Sequence, residues 1–380
     1  MDERQLERAL APSLDRLLTP ALVVDLDAVA HNARAVLARV GDARRWRPHV
    51  KTVKQAAVIK VLLEVGVRSF KCATPAELEL VLAAAAASAT ADVDVLLAYP
   101  PSRALFGEAL SLAARFPAGQ VLLLADSPDH LGLLEGWAAE QKATPAVLLD
   151  VDTGMARTGR AAEEWRGAAG RLADLKSVQI AGLHGYEGHL RAEQQDEALA
   201  GYEALCQLAD VLPAKPRLLV TSGTPTFAHA LAHPGLSGGP WTHQVSPGTL
   251  VLSELHVREA ARMLGLVQAA FVASRVVSTP RKDRVTLDAG SKALSPDRPA
   301  PNCAVLGWPG LEPLAPSEEH LPVRVAAGPK PAPGQLLFLI PDHVCTTVNL
   351  HSRALLLRAG VLETDAPVEA TGHRLWVSES

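Results

Sequence analysis

The chain has 380 residues, of which 48% are hydrophobic, and carries a formal net charge of −4 at pH 7. A chain of this length can bury a large core, and its slightly acidic balance excludes the basic surface typical of nucleic-acid-binding proteins. Four scattered cysteines without a CxxC pair favour reduced thiols, and no apolar run is long enough to cross a bilayer. Composition therefore favours a cytoplasmic protein that binds small molecules and contacts neither membrane nor nucleic acid.

Short apolar runs alternate with amphipathic stretches at helical spacing up to about residue 250. Several of the helical stretches follow a Ser, Thr or Asp suited to capping. Eight parallel strands with helices between them close into a (β/α)8 TIM barrel, which is the predicted α/β fold. The predicted strands are WRPHVK, RSFKCA, VDVLLAY, QVLLLAD, AVLLDVD, VQIAGLHGY, RLLVTSG and HQVSPGTLVL.

After residue 265 the pattern changes to β-branched runs separated by proline-rich loops. Helices largely disappear, which indicates a separate β domain. We expect a barrel domain over residues 19–262 and a β domain formed by 1–18 and 263–380. The early segment ALVVDLDAVAHNARAVLARV could belong to either domain. The strands predicted in the β domain are FVASRVVS, RVTLDAG, QLLFLIP, RALLLRAG and HRLWVS.

His343 and Cys345 form a candidate metal-binding pair. LLFLIPDHVC predicts a strand, and in an extended strand two residues at this spacing share one face. Imidazole and thiolate are good zinc ligands, and a pair of protein ligands leaves room for water or substrate. By itself the pair is a weak signal and favours a core cysteine beside a surface histidine.

Lys51, in RPHVKT, is a candidate for attachment of a carbonyl cofactor. It lies between a strand-like segment and a helical pattern, where barrel enzymes place catalytic groups. A buried lysine at such a position can lose its proton and form an imine. The alternative is a solvated lysine at a helix start, as expected for Lys54.

Two glycine-containing turns follow the seventh and eighth predicted strands, TSGT at 221–224 and SPGT at 246–249. Such turns offer backbone N–H groups, hydroxyls and close approach, which a phosphate requires, and barrels often bind phosphate after these strands. Either turn alone could be ordinary turn chemistry. Their occurrence on adjacent strands favours a phosphate site at Thr221, Ser222, Gly223, Thr224, Gly248 and Thr249.

Further polar side chains follow the fifth and sixth predicted strands and should lie at the same barrel mouth. Arg157 would donate a hydrogen bond to a pyridine nitrogen and leave that ring unprotonated, or else pair with a nearby aspartate. The segment HGYEGH adds His184, Tyr186 and His189. Spacing alone leaves open which of these residues are structural.

Taken in order, these motifs resemble fold-type III pyridoxal-phosphate enzymes related to the alanine racemase barrel. Within them, the chain is most similar to the branch of D-threonine aldolases, D-3-hydroxyaspartate aldolases and dehydratases, and metal-dependent D-serine dehydratases. The resemblance covers nearly the whole chain, through TPALVVDLDAV, RPHVKT, DTGMARTG, GYEGH, LDAGSKALSPD, SEEH and PDHVCTTVNLH.

The resemblance implies roles for the candidate residues. Lys51 would carry pyridoxal 5'-phosphate as an imine, Arg157 would meet its ring nitrogen, and the two glycine turns would hold its phosphate. His343 and Cys345 would hold zinc or manganese near the substrate. The catalytic base would be His184 or His189, and Tyr186 would belong to the cofactor site. Homodimers are expected, because a partner's β domain completes the barrel mouth in this family resemblance.

Cysteine at position 345 resembles the D-serine dehydratases, since D-threonine aldolases usually have aspartate there. TVNLH and DAGSKALS resemble the aldolases instead. We expect a lyase for D-β-hydroxy-amino acids, with retro-aldol cleavage to glycine and an aldehyde preferred over dehydration to a keto acid and ammonia. An amino-acid racemase and a non-catalytic cofactor carrier are the remaining alternatives, and neither needs a metal.

Overall fold

The computed structural model describes residues 1–213 and 215–373. The described chain folds into two compact units, and each unit is built from more than one stretch of the sequence. The barrel unit consists of residues 37–51 and 66–248, and the β unit consists of residues 1–36, 52–65 and 249–373.

Seven parallel strands form the sheet of the barrel unit in the chain order β2 to β8. Their apolar runs are buried on both faces, as expected for a parallel sheet covered by helices. A core of leucine, alanine and valine side chains connects β3 to β7. The strands are β2 (Ser69–Cys72), β3 (Val93–Leu97), β4 (Gly119–Ala125), β5 (Ala146–Val151), β6 (Gln179–Gly185), β7 (Leu218–Thr221) and β8 (Thr242–Val245).

The segment Trp46–His49 closes this sheet. Trp46 forms a parallel bridge with Val245 of β8, and His49 forms one with Lys71 of β2. The buried guanidinium of Arg47 donates to Gln244 on β8 at 2.7 Å and to the carbonyl of Phe70 on β2 at 2.9 Å. This segment therefore occupies the place of an eighth strand.

Helices follow the barrel strands, and three of them have the hydroxyl caps that the sequence predicts. Thr74, Ser102 and Ser127 each accept a hydrogen bond from the backbone in the first turn. The helices are α4 (Pro75–Ala87), α5 (Arg103–Arg115), α6 (Pro128–Glu140), α7 (Ala162–Gly167), α8 (Ala169–Ala173), α9 (Gln195–Val211), α10 (Phe227–Ala232) and α11 (Pro234–Gly238).

The β unit contains a mostly antiparallel sheet in the order β12-β13-β10-β9-β1-β15-β16, with β14 also paired to β9 and to β11. Two apolar clusters support it. Its strands are β1 (Ala21–Asp25), β9 (Ala270–Arg281), β10 (Arg284–Leu287), β11 (Cys303–Val305), β12 (Leu311–Pro313), β13 (Leu321–Val325), β14 (Leu336–Pro341), β15 (Arg353–Arg358) and β16 (Val361–Pro367).

Helices in the β unit are fewer. They are α1 (Glu3–Leu10), α3 (Ala56–Glu64), α12 (Arg258–Leu264) and α13 (Val344–Asn349), while α2 (Leu26–Val40) crosses the division between the units. Short 3-10 helices occupy Ala11–Ser13, Ala43–Arg45, Val50–Thr52, Thr249–Val251 and Leu255–Val257. Within the described residues, none of the helices has the length and apolar character needed to span a membrane.

The predicted α/β class, with a parallel TIM-type barrel and a β-rich C-terminal domain, is confirmed. WRPHVK forms only isolated bridges, because Pro48 lacks the N–H that a regular ladder requires. The eighth predicted strand ends at Val245, before Pro247 and Gly248. HRLWVS lies outside the described residues except for His373.

The division into units differs from the predicted boundaries in three places, one of which is the segment 52–65, which belongs to the β unit. The segment Ala21–Asp25 pairs with β9 and β15, so this early strand lies in the β unit rather than in a barrel starting at residue 19. The division after the barrel falls at Gly248, ahead of the predicted boundary at residue 262.

Candidate active site and metal-binding pair

Lys51 lies in the 3-10 helix Val50–Thr52, directly after the closing segment of the barrel. Its backbone N–H donates to Nδ1 of His49 at 3.3 Å. The side chain is exposed, which agrees with the alternative of a solvated lysine, whereas Lys54, which the sequence predicts to be solvated, is buried. The position of Lys51 at the end of a strand-like segment agrees with the sequence analysis.

The buried lysine of the barrel is Lys71, on β2. Its side chain is 3% exposed, and its Nζ lies 2.7 Å from Nε2 of His184. Nδ1 of His184 lies 2.6 Å from Oδ1 of Asp150. The three side chains come from β2, β6 and β5 and form a hydrogen-bonded chain inside the unit.

Burial is the main influence on the pKa values of these three side chains. Burial and the charge of Lys51 together lower the pKa of Lys71 to about 7, against the opposing charge of Asp150. Burial and the neighbouring Lys71 also lower the pKa of His184. Burial opposes ionisation of Asp150, but its interaction with His184 holds the pKa of this carboxyl below its usual value.

Tyr186 lies close to two basic side chains. The Nζ of Lys71 and the guanidinium carbon of Arg157 are each 5.0 Å from the centre of its ring, within the range of cation–π attraction. Arg157 therefore contacts Tyr186, while Asp150 pairs with His184 and Asp152 accepts from the backbone of its own loop. Most of the predicted site residues belong to the barrel unit, among them Lys51, Arg157, His184 and Tyr186.

The two candidate histidines differ in environment. His184 is buried, whereas His189 is exposed and lies beside the loop that contains Gly154. Glu187, from the same motif, is buried and accepts hydrogen bonds from Tyr202 at 2.5 Å and Thr226 at 2.7 Å. Burial raises the pKa of Glu187, which indicates a structural role for this carboxyl.

The turns after β7 and β8 adjoin, as predicted. The backbone N–H of Ser246 donates to the carbonyl of Thr221 at 3.1 Å, and Ser222 adopts a left-handed conformation with φ of 59°. Within the described chain, the buried hydroxyls of Ser222 and Ser246 have no hydrogen-bond partner. Buried hydroxyls normally have partners, so these two fit a bound acceptor such as phosphate.

The other predicted phosphate ligands differ in their surroundings. The Thr221 hydroxyl is 2.8 Å from Nε2 of His243, so it already has a partner. A Cβ on Gly223 would lie 3.2 Å from the ring of Tyr186, and one on Gly248 would lie 2.4 Å from the carbonyl of His49. Thr224 is buried, and the hydroxyl of Thr249 lies 3.9 Å from the Cys345 sulfur.

The predicted metal pair lies in the β unit, but not on a strand. Strand β14 ends at Pro341, His343 is the N-cap of α13, and Cys345 is within that helix. The expectation that both side chains share a strand face is therefore wrong. The buried carboxyl of Glu254 accepts a hydrogen bond from the N–H of Val344 at 2.7 Å and so favours the helical start.

The surroundings of both residues nevertheless fit a metal. Nδ1 of His343 lies 2.5 Å from Oδ2 of Asp297, which orients the ring and leaves Nε2 as the nitrogen for a metal. The Cys345 sulfur lies 3.1 Å from the Thr52 hydroxyl. Among the residues that the structure describes, no group of three or more His, Cys, Asp or Glu is arranged for metal binding, so the pair would need water or substrate to complete a shell.

Sequence reasoning did not identify Lys71 or Asp297. Lys71 lies in the middle of RSFKCA, where alternation alone gives no reason to expect a titrating amine. Asp297 lies in LDAGSKALSPD, a segment quoted only for its resemblance to other proteins. Their partners are 113 and 46 residues away, so only the fold brings them together.

A family model described as "Alanine racemase, N-terminal domain" matches residues 24–252, so the chain belongs to that family. A second model, described as "Putative serine dehydratase domain", matches residues 269–357.

Two curated relatives match along most of their length. D-threonine aldolase from Arthrobacter sp. is 29% identical over 374 residues, covering 94% of each chain. D-threo-3-hydroxyaspartate dehydratase from Delftia sp. is 29% identical over 365 residues, covering 87% of this chain and 91% of the relative. The chain is thus an enzyme of the alanine racemase N-terminal-like, fold-type III family, in the group that contains these aldolases and dehydratases.

Solved structures agree on the fold. D-threonine aldolase from Filomicrobium marinum superposes with a TM-score of 0.81 at 24% identity, covering 93% of this chain and 95% of that one. The Delftia dehydratase gives a TM-score of 0.76 at 24% identity, covering 95% and 99%.

Proposed function

We propose that this protein is a pyridoxal-phosphate- and divalent-metal-dependent lyase for D-β-hydroxy-amino acids, which cleaves D-threonine-like substrates to glycine and an aldehyde. The observation that carries the proposal is the His343–Asp297 pair beside Cys345 in α13. A racemase or a cofactor carrier needs no such metal ligands, because neither must activate a β-hydroxyl.

In this proposal the cofactor residues belong to the barrel unit. Lys51 holds the cofactor through its amine, Arg157 donates to the ring nitrogen, and Tyr186 packs at the site. Ser222 and Ser246 bind the phosphate with the backbone of their turns. When bound, pyridoxal phosphate withdraws electrons from the α-carbon of an amino acid, and this supports bond cleavage at that carbon.

The metal residues belong to the β unit. Zinc or manganese held by Nε2 of His343 and the Cys345 thiolate would act as a Lewis acid on the β-hydroxyl. A solved cysteine-to-alanine mutant of the related dehydratase is described as metal-free, which supports metal use in this group. Asp297 orients the imidazole, and the nearby Thr52 hydroxyl can donate to the thiolate.

A histidine base must remove the hydroxyl proton in retro-aldol cleavage. His184 is the stronger candidate, because burial favours its neutral form and Asp150 orients its Nδ1, which leaves Nε2, 2.7 Å from the Lys71 amine, to receive the proton. His189 is exposed, and nothing in its described surroundings fixes its tautomer.

The second candidate function is dehydration to a keto acid and ammonia. It is favoured by Cys345 itself, because the resemblance places cysteine in the dehydratases and aspartate in the aldolases. Incubation of the metal-loaded holoenzyme with D-threonine and with D-serine separates the two. Glycine with acetaldehyde supports the aldolase, whereas keto acid with ammonia as the main products would overturn it.

The attachment of the cofactor to Lys51 can be tested independently of the reaction. Borohydride reduction of the holoenzyme should attach the cofactor to the peptide that contains Lys51, and Lys51→Ala should abolish this trapping. Lys54→Ala is the control, because that amine donates to the carbonyl of Ala370. Trapping on another lysine in the wild-type protein would contradict the assignment.

The proposal also includes a homodimer, on the resemblance to enzymes whose barrel mouth is completed by a partner's β domain. Analytical ultracentrifugation of the holoenzyme should give twice the mass of one 40.1 kDa chain. A fully active monomer at the assay concentration would contradict this part of the proposal.

A further inference from the structure

Lys71 is a buried amine to which the proposed function assigns no role. It is 3% exposed on β2 and lies 2.7 Å from His184, which in turn lies 2.6 Å from Asp150. Burying an ammonium without full compensation is costly, so a lysine here needs an explanation. An apolar residue would fill the same volume without that cost.

The directions of the two hydrogen bonds are fixed by chemistry. An ionised Asp150 can only accept, so Nδ1 of a neutral His184 carries the hydrogen and its Nε2 carries the lone pair. Lys71 must therefore donate to Nε2. The chain is polarised from the lysine to the aspartate, and a proton on Lys71 can pass to His184 with Asp150 stabilising the imidazolium.

The free end of the lysine faces the other candidate site residues. Nζ is 5.0 Å from the ring centre of Tyr186, whose ring also contacts Arg157. The charged groups that act on Lys71 are Lys51, Asp150, Glu187 and Arg157. Two of these, Lys51 and Arg157, are predicted cofactor ligands, so the amine lies among the residues proposed to hold the reacting group.

We propose that Lys71, His184 and Asp150 form a proton relay in the barrel, in which the Lys71 amine takes up one proton and returns it in each turnover. Only an N–H bond is formed and broken, and the proton moves between the Lys71 amine and Nε2 of His184. The outside donor is the bound amino acid of the proposed lyase function, on which this assignment rests; its proton reaches Nε2 of His184 through the Lys71 amine and returns by the same route. The relay itself rests on the three side chains.

The charges around Lys71 favour uptake and release of its proton near neutral pH. Burial and Lys51 push the Lys71 amine toward its neutral form, and Asp150 and Glu187 oppose this, which leaves its pKa at about 7. Both forms are then populated at neutral pH, which is the condition for efficient proton transfer.

A titration of Lys71 tests the relay without any substrate. In holoenzyme labelled with 13C at the lysine ε-carbons, one resonance should titrate with a midpoint between about pH 6 and 8. It should be absent in Lys71→Met and present in Lys60→Met, which changes an exposed lysine on α3. A midpoint above about pH 9 would overturn the proposal.

Two variants separate proton transfer from charge and packing. Lys71→Arg keeps the positive charge but cannot lose its proton, and Lys71→Met keeps the volume without a charge. Both should lower kcat by about 100-fold or more with KM within about threefold. Both should also remove the limb of the kcat–pH profile that is due to the titration of Lys71. If Lys71→Arg keeps wild-type kcat and the same limb, only the charge matters and the relay is wrong.

Failure of the relay and failure of the proposed function give different results. Exchange of the glycine α-hydrogen with D2O uses the same cofactor but no β-hydroxyl or aldehyde. If neither D-threonine nor D-serine reacts, the lyase proposal fails, and the lysine titration together with loss of glycine exchange in Lys71→Arg still supports the relay. Unchanged glycine exchange in Lys71→Arg overturns it.

Discussion

Lys51 and Lys71 carry the same amine, and their environments make them chemically different. The exposed Lys51 keeps contact with solvent, whereas the buried Lys71 is surrounded by His184 and the ring of Tyr186. Solvation favours the ammonium form, so loss of solvent through burial is the largest influence on the pKa of Lys71 and lowers it. Residue type and local sequence do not reveal this difference, because the burial of Lys71 depends on strands far away in the chain.

A second buried histidine, His243, should make the stability of the fold depend on pH. Burial lowers the pKa of His243 from 6.5 to about 3, and its Nε2 lies 2.8 Å from the Thr221 hydroxyl. Because the folded pKa is depressed, the folded state is stabilised above the unfolded pKa of 6.5, and this contribution is lost as the pH falls from 6.5 toward 3.

We therefore expect His243→Gln to make the protein less sensitive to acid. Between about pH 6 and pH 4, the wild-type free energy of unfolding should fall relative to the variant by about 1.4 kcal/mol per pH unit. Urea titrations at a series of pH values measure the difference. Parallel curves for the two proteins would show that His243 is protonated in the folded state. His31→Gln, at an exposed position, is the control.

At the scale of elements, the strands and helices of the barrel could be predicted because each apolar run is bounded by turns and caps. Seven of the eight predicted barrel strands form, and α4, α5 and α6 begin at the predicted hydroxyl caps. The exceptions depend on long-range contacts or proline. VCTTV has the β-branched residues of a strand but forms α13, where Glu254 accepts from Val344, 90 residues away.

The segment Trp46–His49, which closes the barrel sheet, lies directly against Gly248. A Cβ at Gly248 would lie 2.4 Å from the carbonyl oxygen and 3.0 Å from the nitrogen of His49, and backbone atoms cannot yield as a flexible side chain can. Gly248→Ala should displace the segment that leads to Lys51. We expect a loss of about 2 kcal/mol or more in the free energy of unfolding, and weaker cofactor retention on dialysis.

The same substitution in α5 is the matched control. A Cβ at Gly107 would have no atom within 4 Å. Because alanine is favoured over glycine in a helix interior, Gly107→Ala should stabilise the protein by about 0.5–1 kcal/mol. Chemical denaturation measures both variants, and equal effects at the two positions would contradict the proposed contact.

At the scale of the whole molecule, the candidate groups are divided between the two units. The proposed cofactor ligands Lys51, Arg157 and Ser222 belong to the barrel unit, while His343 and Cys345 belong to the β unit. Both sets are proposed from the sequence, because each includes a short motif. Sequence reasoning could not predict Asp297 as the partner of His343, because that pairing depends on the folded β unit.

This division predicts that metal and cofactor binding can be lost separately. Chelation, or Cys345→Ala, should lower lyase activity by about 100-fold or more, because the β-hydroxyl loses its Lewis acid. The absorbance of the bound cofactor and its borohydride trapping should remain, because Lys51 and the hydroxyls of Ser222 and Ser246 belong to the barrel unit, whereas the thiolate belongs to the β unit. Asp297→Asn should weaken metal affinity by about 10- to 100-fold, because the His343 ring loses its charged partner.

Cys303→Ala is the control for the thiol. Cys303 is buried in strand β11 of the β unit, and burial raises the pKa of its thiol to about 12, so it is a poor metal ligand. This variant should lose some stability through the lost packing and keep its metal. Elemental analysis, cofactor absorbance and turnover on one preparation of each variant test the prediction. Full turnover in protein shown to be free of metal would favour a racemase, whose α-proton transfer needs no activation of a hydroxyl.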